Sequence, residues 1–374
     1  MIINLVIFIA FCTLLGFFIQ ERSKCYSSLI QGIKHDWQVC LVFTAMLLSF
    51  ILFSALRTKY NDTTTYIGGF MLVELEDISY KTIFEPYGGF LLFQQLLKKY
   101  ISNDPQILII AATLICVPIT IKFIVDLSST FGASIFMYAI GDFMFSMAGI
   151  KQAIAMSFAT IYIENIEKKK YLSAIIFMLI AMSFHPYVIC LTVIPFMRKG
   201  ILDMKTLLIV ACTVFFILNL DRFLGIIATI GKEYELSEFV GNTINPFRII
   251  IESIPIFIII IFRKEIQTYS SPLLNMGINM TFISFTCLFL GLFMDPIYLG
   301  RIASYFGVIS YITVPQMLNI AFKRQKNGVL YKNAYYAIFF VYWLLDMTKL
   351  GTISITRDLF SHISLIEALK IFIS

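Results

Sequence analysis

Five polar side chains, set in an otherwise apolar chain, are of the types that move protons or bind anions. Asp62 and Glu85 are carboxylates in one polar stretch, and either can act as a general base or bind sugar hydroxyls. Lys151 opens an apolar run, where a charged side chain is costly and commonly contacts a substrate or an ion. His185 carries an imidazole, a group that titrates near neutral pH, and Arg301 carries a permanently charged guanidinium that can hydrogen-bond two oxygens at once. Together they suit acid–base chemistry on a substrate that carries a diphosphate.

Four of these side chains also have a structural interpretation. Asp62 can cap a short helix, and Lys151 can extend to the membrane interface. A lone histidine such as His185 is more often a packing residue in an apolar stretch. Arg301, with Tyr305 one turn later, can anchor a helix at the membrane surface. The residue types alone leave both interpretations open.

The chain that must position these residues has the composition of a membrane protein. Of its 374 residues, 59% are hydrophobic and 14% are charged, whereas soluble domains have about 45–50% and about 25%. Apolar runs of about 20 residues, enough to cross roughly 30 Å of hydrocarbon, recur along the whole chain. We predict an all-α, polytopic membrane protein with about ten to twelve transmembrane helices, in a single domain over residues 1–374.

The apolar runs predict the individual spans. The first run lacks the basic start and small-x-small cleavage site of a signal peptide, so we interpret it as a retained helix. Segment 171–197 has His185-Pro186 at its middle and basic residues at both flanks, which predicts two short helices in a hairpin. The C-terminal stretch 352–374 fits either an amphipathic surface helix or a short last span. The other predicted spans cover residues 2–20, 38–56, 106–125, 132–147, 150–166, 205–220, 248–262, 272–294, 302–322 and 332–348.

The distribution of Lys and Arg predicts the orientation, because short basic loops stay in the cytoplasm. One alternating set of loops holds more than half of the 29 Lys and Arg residues, and the other holds the rest over nearly twice the length. The first set is therefore predicted to be cytoplasmic, which leaves two long external loops at about 57–105 and 221–247. Within the first loop, residues 87–97 are apolar but too short to span, and we expect a short interfacial helix there.

Several kinds of site and partner are not expected. The basic clusters lie between spans, so the formal charge of +6 does not indicate nucleic acid. The 7 cysteines show no paired C-x-x-C spacing and are expected to be packing residues. The 3 histidines have no ligand spacing between them, so neither a metal nor another cofactor is expected.

Five short motifs lie within about residues 57–306: Asp62 with Tyr66, Glu85-Pro86, Gly149-Ile-Lys-Gln-Ala-Ile-Ala155, Phe184-His185 after a lysine-rich turn, and Gly300-Arg301 with Tyr305-Phe306. In their order and approximate spacing, the chain resembles the EpsG family of Wzy-like bacterial exopolysaccharide polymerases. One position departs from the family pattern, which commonly has Arg-Gln where this chain has Lys151-Gln152. The positive charge is kept, but the two-pronged contact of a guanidinium with a diphosphate is lost.

The resemblance implies a glycosyltransferase that polymerises polyprenyl-diphosphate-linked oligosaccharide units into capsular, exo- or O-antigen polysaccharide. It would act without a metal, on the outer face of the bacterial cytoplasmic membrane, as a multi-pass protein. Expected partners are the lipid-linked oligosaccharide, the lipid bilayer, and a chain-length regulator and a flippase of the same pathway. The candidate bases are His185, Asp62 and Glu85, and the candidate substrate-binding residues are Arg301, Lys151, Gln152, Tyr66 and Tyr305.

A flippase or transporter of the same lipid-linked sugars is the alternative function. A polytopic helical protein with buried charge fits transport equally well. Transport predicts polar residues along both halves of a passage and paired repeats. In this chain the polar residues gather toward one face and no repeat is visible, which favours the polymerase. A membrane acyltransferase is a third interpretation, and no motif for an acyl donor supports it.

Overall fold

The computed structural model describes residues 2–75, 85, 87–218, 244–293, 296–350 and 361–371. The predicted external loop at 221–247 lies outside the described residues except for its last four positions. Pro86, which follows Glu85 in its motif, also lies outside them.

Helices make up 82% of the described chain, and the longest of them follow the predicted apolar runs. A 3-10 helix covers Ser23–Cys25, a second covers Pro186–Met197, and a π-helical turn covers Asp346–Leu350. The α-helices are α1 Ile2–Arg22, α2 Leu29–His35, α3 Trp37–Ala55, α4 Thr63–Met71, α5 Gly88–Tyr100, α6 Gln106–Leu127, α7 Phe131–Ile140, α8 Asp142–Ala148, α9 Ile150–Glu167, α10 Tyr171–Phe184, α11 Met204–Leu218, α12 Pro246–Ile261, α13 Arg263–Thr268, α14 Pro272–Leu290, α15 Pro296–Gly307, α16 Ser310–Ala321, α17 Gly328–Leu345 and α18 Leu365–Lys370.

The helical content and the long apolar helices confirm the predicted polytopic helical membrane protein. Among the described residues, five helical segments are long and apolar enough to cross a bilayer, or six if α15 and α16 form one broken span. The larger count of ten to twelve stays a prediction, because several other helices are shorter or more polar. The five segments are Ile2–Cys25, Trp37–Ala55, Gln106–Leu127, Phe131–Ala148 and Pro272–Leu290.

Three of the predicted apolar segments are not single straight helices. The run at 132–147 is divided at Gly141 between α7 and α8. The run at 302–322 bends by 60° between α15 and α16. Segment 171–197 divides at His185 into α10 and the 3-10 helix, because a residue before proline disfavours helical backbone. The predicted break at His185 is therefore confirmed, and the hairpin itself stays a prediction.

The described chain divides into two compact units, Met1–Ile189 with Phe339–Ser374, and Cys190–Ile338. In the first unit, α9 packs on α6 and α10, α6 packs on α3, and α1 packs on α3 and α7. The predicted interfacial segment is a helix, α5, which packs against α10 and α6. In the second unit, α14 packs against α12, α15 and α16. The single domain over residues 1–374 stays a prediction, as does the position of α5 in the membrane interface.

The expectation of a wholly helical fold omits one small two-stranded sheet, which pairs a C-terminal segment with the segment after α3. Strand β1, Arg57–Lys59, pairs antiparallel with strand β2, Ser361–His362. The six-residue helix α18 follows, and Ala368 and Ile371 join the hydrophobic cluster that contains Phe90. Residues 361–371 therefore form a strand and a short packed helix, whereas residues 352–360 and 372–374 of the predicted C-terminal stretch lie outside the described residues.

Candidate functional site

Tyr87 brings together two of the predicted site residues, Lys151 and His185. The Lys151 ammonium lies 4.9 Å from the centroid of the Tyr87 ring. The His185 imidazole packs edge-on against that ring, with 5.5 Å between the two centroids. The Phe90 ring lies 5.6 Å from the same ammonium. Because an aromatic face attracts a cation, these contacts hold the Lys151 side chain in place. We call these four residues the Tyr87 cluster.

The cluster forms where three helices begin or end. Lys151 is the second residue of α9, and His185 is the residue at which α10 ends. Tyr87 lies directly before α5 and has a left-handed φ of 60°. Such a backbone costs a residue with a side chain on the order of 1–3 kcal/mol and is often found at functional sites. The conformation of Tyr87 is thus maintained by the packing around it.

Close packing between α5 and α10 sets the position of Tyr87 relative to His185. A Cβ atom added at Gly89 would overlap the side chain of Ser183 and would lie 2.9 Å from the Ser183 carbonyl carbon. Only glycine therefore allows α5 to approach the last turn of α10 this closely. The Gly88-Gly89 pair forms the start of α5.

Tyr66 adjoins the cluster through Phe90. The rings of Tyr66 and Phe90 pack edge-on with centroids 5.9 Å apart. Asp62 lies one turn before Tyr66, at the N-cap position of α4, but its carboxylate makes no capping hydrogen bond. The helix-cap interpretation of this side chain is therefore not supported. Asp62 is exposed, as expected for a carboxylate that meets substrate from solvent.

The remaining predicted residues of the first unit differ in exposure. Glu85 is exposed two residues before Tyr87, and its carbonyl accepts a hydrogen bond from the Gly88 amide at 2.9 Å. Gln152 is 5% exposed and His185 is 4% exposed. The carboxylates of Asp62 and Glu85 are thus exposed to solvent, whereas the His185 imidazole and the Gln152 amide are buried.

The far ends of α6 and α9 carry a separate group of charges. Lys122 contacts the carboxylates of Asp126 and Glu164 at 2.5 and 3.3 Å. Lys168 forms an ion pair with Glu164 as well. Since Lys151 and Lys168 lie at opposite ends of α9, the ion pairs are well separated from the Tyr87 cluster. Among the described residues, no group of three or more His, Cys, Asp or Glu is arranged to hold a metal ion.

Arg301 and Tyr305 belong to the second unit. Both lie on α15, four residues apart, and therefore on one face of the helix. Arg301 is half-buried and Tyr305 is fully buried. The Ser284 hydroxyl of α14 donates to the Ala303 carbonyl at 2.8 Å and fixes α15 against its neighbour.

Sequence reasoning missed Tyr87 and Phe90 as members of the site. Both belong to the run Tyr87-Gly-Gly-Phe90, which is recognisable only as a short apolar segment. An aromatic residue beside a lone intramembrane lysine is a usable signal, but the two positions are about 60 residues apart in sequence, and only folding joins them.

The sequence profile of the EpsG family matches residues 40–356. The chain belongs to the EpsG family. The match extends beyond the motif-bearing part on both sides and includes all eight predicted site residues. The EpsG family consists of Wzy-like polymerases, so membership indicates a membrane polysaccharide polymerase of the bacterial inner membrane. Neither a curated protein nor a solved structure matches the chain.

Proposed function

We propose that the chain is a glycosyltransferase that joins polyprenyl-diphosphate-linked oligosaccharide units on the outer face of the cytoplasmic membrane. The observation that carries the proposal is the contact of Lys151 and His185 with one ring, Tyr87, in a member of the EpsG family. A fixed cation beside a titratable imidazole is a suitable arrangement for a reaction in which a proton leaves a nucleophile and negative charge develops on a leaving group.

The reaction is a displacement at the anomeric carbon of the donor unit. A hydroxyl of the acceptor unit attacks this carbon, and a new carbon–oxygen bond forms. The bond between the anomeric carbon and the diphosphate oxygen breaks, and its electron pair leaves with the polyprenyl diphosphate. The proton of the attacking hydroxyl passes to a base of the protein.

Side-chain cations stabilise the departing diphosphate in this proposal. Lys151 is half-buried at an aromatic surface, where a charge interacts more strongly than in bulk water. Tyr66 and Gln152 are assigned to sugar hydroxyls or phosphate oxygens near it. On the second unit, Arg301 and Tyr305 are assigned to the same classes of group, with the guanidinium suited to two phosphate oxygens.

Three side chains are candidates for the base. His185 is favoured, because a neutral imidazole accepts a proton near physiological pH and because it packs on the same ring as Lys151. A substrate hydroxyl can reach it only after the surrounding side chains move, since His185 is 4% exposed. Asp62 and Glu85 are exposed and need no such movement. Single substitutions of the three residues rank them, and the base is the one whose loss removes turnover while membrane abundance is kept.

The test measures polysaccharide length and lipid-linked repeat units in cells that lack the chain and are complemented with variants. The variants are Lys151→Ala and Arg301→Ala, and the matched controls are Lys323→Ala and Arg324→Ala. Lys323 is an apt control because its ammonium also lies over a tyrosine ring, 5.1 Å from the Tyr269 centroid, in the connection between α16 and α17. We expect the site variants to lose long polymer while the controls retain it.

The location of the accumulated units distinguishes the two candidate functions. Single repeat units outside the membrane are the result expected for a polymerase. Units that accumulate on the cytoplasmic side would establish the flippase alternative. Normal polymer length in both site variants would remove the assignment of Lys151 and Arg301.

A further inference from the structure

Arg57, the first residue of strand β1, is a fully buried cation with 1% of its surface exposed. Its guanidinium donates hydrogen bonds to three separate elements. At the end of α3 it bonds the Ser54 carbonyl and the Ser54 hydroxyl, the latter at 2.8 Å. In α8 it bonds the Met147 carbonyl at 3.1 Å. At the start of α4 it bonds the Thr63 hydroxyl at 3.4 Å. A planar guanidinium can meet acceptors in all three directions at once.

All of these acceptors are neutral. Among the described residues, no carboxylate forms an ion pair with Arg57. Burial lowers the pKa of Arg57 to about 10, which leaves the guanidinium charged at neutral pH. A buried charge without a counterion does not favour folding by itself, because its desolvation is costly.

The bonded elements are those that carry candidate residues of the first unit. Thr63 directly follows Asp62, and Met147 precedes Lys151 by four residues across the junction of α8 and α9. Gln106 of α6 also holds the start of β1, because its side-chain amide donates to the Arg57 carbonyl at 2.8 Å. The guanidinium thus connects the Asp62 turn to the junction from which the Lys151 side chain projects.

We propose that Arg57 is a positioning residue that holds Asp62 and Lys151 in a fixed relation for a substrate with a diphosphate-linked sugar. This inference rests on the proposed polymerase function. Arg57 acts through the Thr63 and Met147 contacts and does not itself touch the substrate, since it is enclosed. Its loss lets the α8–α9 junction shift, and a displacement of about 1 Å at a reacting group can reduce turnover on the order of a hundredfold.

The experiment uses the full chain, purified and reconstituted in lipid, with lipid-linked repeat units extracted from cells that lack the chain. Arg57→Gln is expected to lower kcat on the order of a hundredfold while KM changes less than about threefold. Arg57→Lys is expected to fail as well, because an ammonium keeps the charge but cannot reach all three elements. The matched control is Arg263→Gln, since Arg263 also donates to a backbone carbonyl, that of Ile201.

A double-mutant cycle separates positioning from general structural damage. In a Lys151→Ala background, Arg57→Gln is expected to lower kcat by a clearly smaller factor than in the wild-type chain, because one of the two groups that it positions is already absent. An activity-independent measurement is the rate at which an impermeant thiol reagent modifies Lys151→Cys in a cysteine-free background. Arg57→Gln is expected to change this rate, and Arg263→Gln is expected to leave it unchanged.

Three results would overturn the assignment of Arg57. They are restoration of wild-type turnover by Arg57→Lys, losses that multiply fully in the cycle, and an unchanged modification rate at position 151. Should Arg57→Gln fail to accumulate in the membrane, Thr63→Val replaces it, because it removes one acceptor and keeps the volume. Full turnover in Thr63→Val would then overturn the inference. Absence of polymer with the wild-type chain would instead reject the proposed function.

Discussion

Replacement of Gly89 by alanine tests whether the contact between α5 and α10 controls the site. The new Cβ would lie 2.8 Å from the Ser183 Cβ and 2.9 Å from its carbonyl carbon, whereas ordinary contacts are at 3.4–4 Å. Rotation of the serine hydroxyl cannot relieve the backbone overlap, so α5 must move by about half an ångström or more. Tyr87 and Phe90 move with it, away from His185 and Lys151.

The magnitude follows from overpacking. Forcing a methyl group into a closed interface costs about 1–3 kcal/mol. The same substitution at Gly69 of α4 is the matched control, because a Cβ there meets no described atom within 4 Å. Alanine at an open helical position gains about 0.5–1 kcal/mol over glycine. The two variants should therefore differ by roughly 1.5–4 kcal/mol in the free energy of unfolding.

The assay combines thermal unfolding of the solubilised protein with polymer length in complemented cells. Gly89→Ala should lower the unfolding midpoint and shorten the polymer, and Gly69→Ala should do neither. Adding Ser183→Gly should restore part of both properties, because it removes the side-chain overlap and leaves the backbone contact. Equal midpoints and equal polymer length for the Gly89 and Gly69 variants would refute the claim that this contact positions the site.

Three further predictions concern the elements around the site. Lys98 donates to three carbonyls at the end of α4. Lys98→Met should therefore lower the free energy of unfolding by about 1–3 kcal/mol, as measured by thermal unfolding. Lys99→Met, at the exposed neighbouring position, is the control, and equal stability of the two variants would contradict the prediction. The β1–β2 pairing places the C-terminal helix α18 at the end of the unit where Asp62 lies. An impermeant thiol reagent should therefore label Ile366→Cys in intact cells. Labelling only after the cells are opened would show that the predicted membrane orientation is wrong. Burial lowers the pKa of His362 below its ordinary value, with the Arg57 charge adding to the effect. The folded chain therefore favours the neutral ring, and the strand pairing should weaken as the pH falls below about 6.5. Proteolysis of the C-terminal segment should then speed up at about pH 5.5, and His362→Asn should abolish that dependence.

The class of the protein and the positions of its main spans were determined by the sequence. A span is a local property, because about 20 consecutive apolar residues satisfy their own backbone hydrogen bonds as a helix wherever they lie. The break at His185 was predictable for the same reason, since Pro186 restricts the residue next to it. The candidate residues of the first unit could be selected from the sequence because polar side chains in an apolar chain are few, and their roles stay predictions.

Only the tertiary structure decided which of those residues meet. Tyr87 joins Lys151 and His185 through ring contacts between helix ends that are distant in sequence, and no local pattern encodes such a contact. The pairing of β1 with β2 joins segments about 300 residues apart, and each strand is too short to be recognised alone. Arg57 was passed over for the same reason, because a charge after a span resembles an interfacial anchor until its buried partners are known. Local sequence sets hydrophobicity and backbone preference, whereas burial and the meeting of distant side chains depend on how the helices pack.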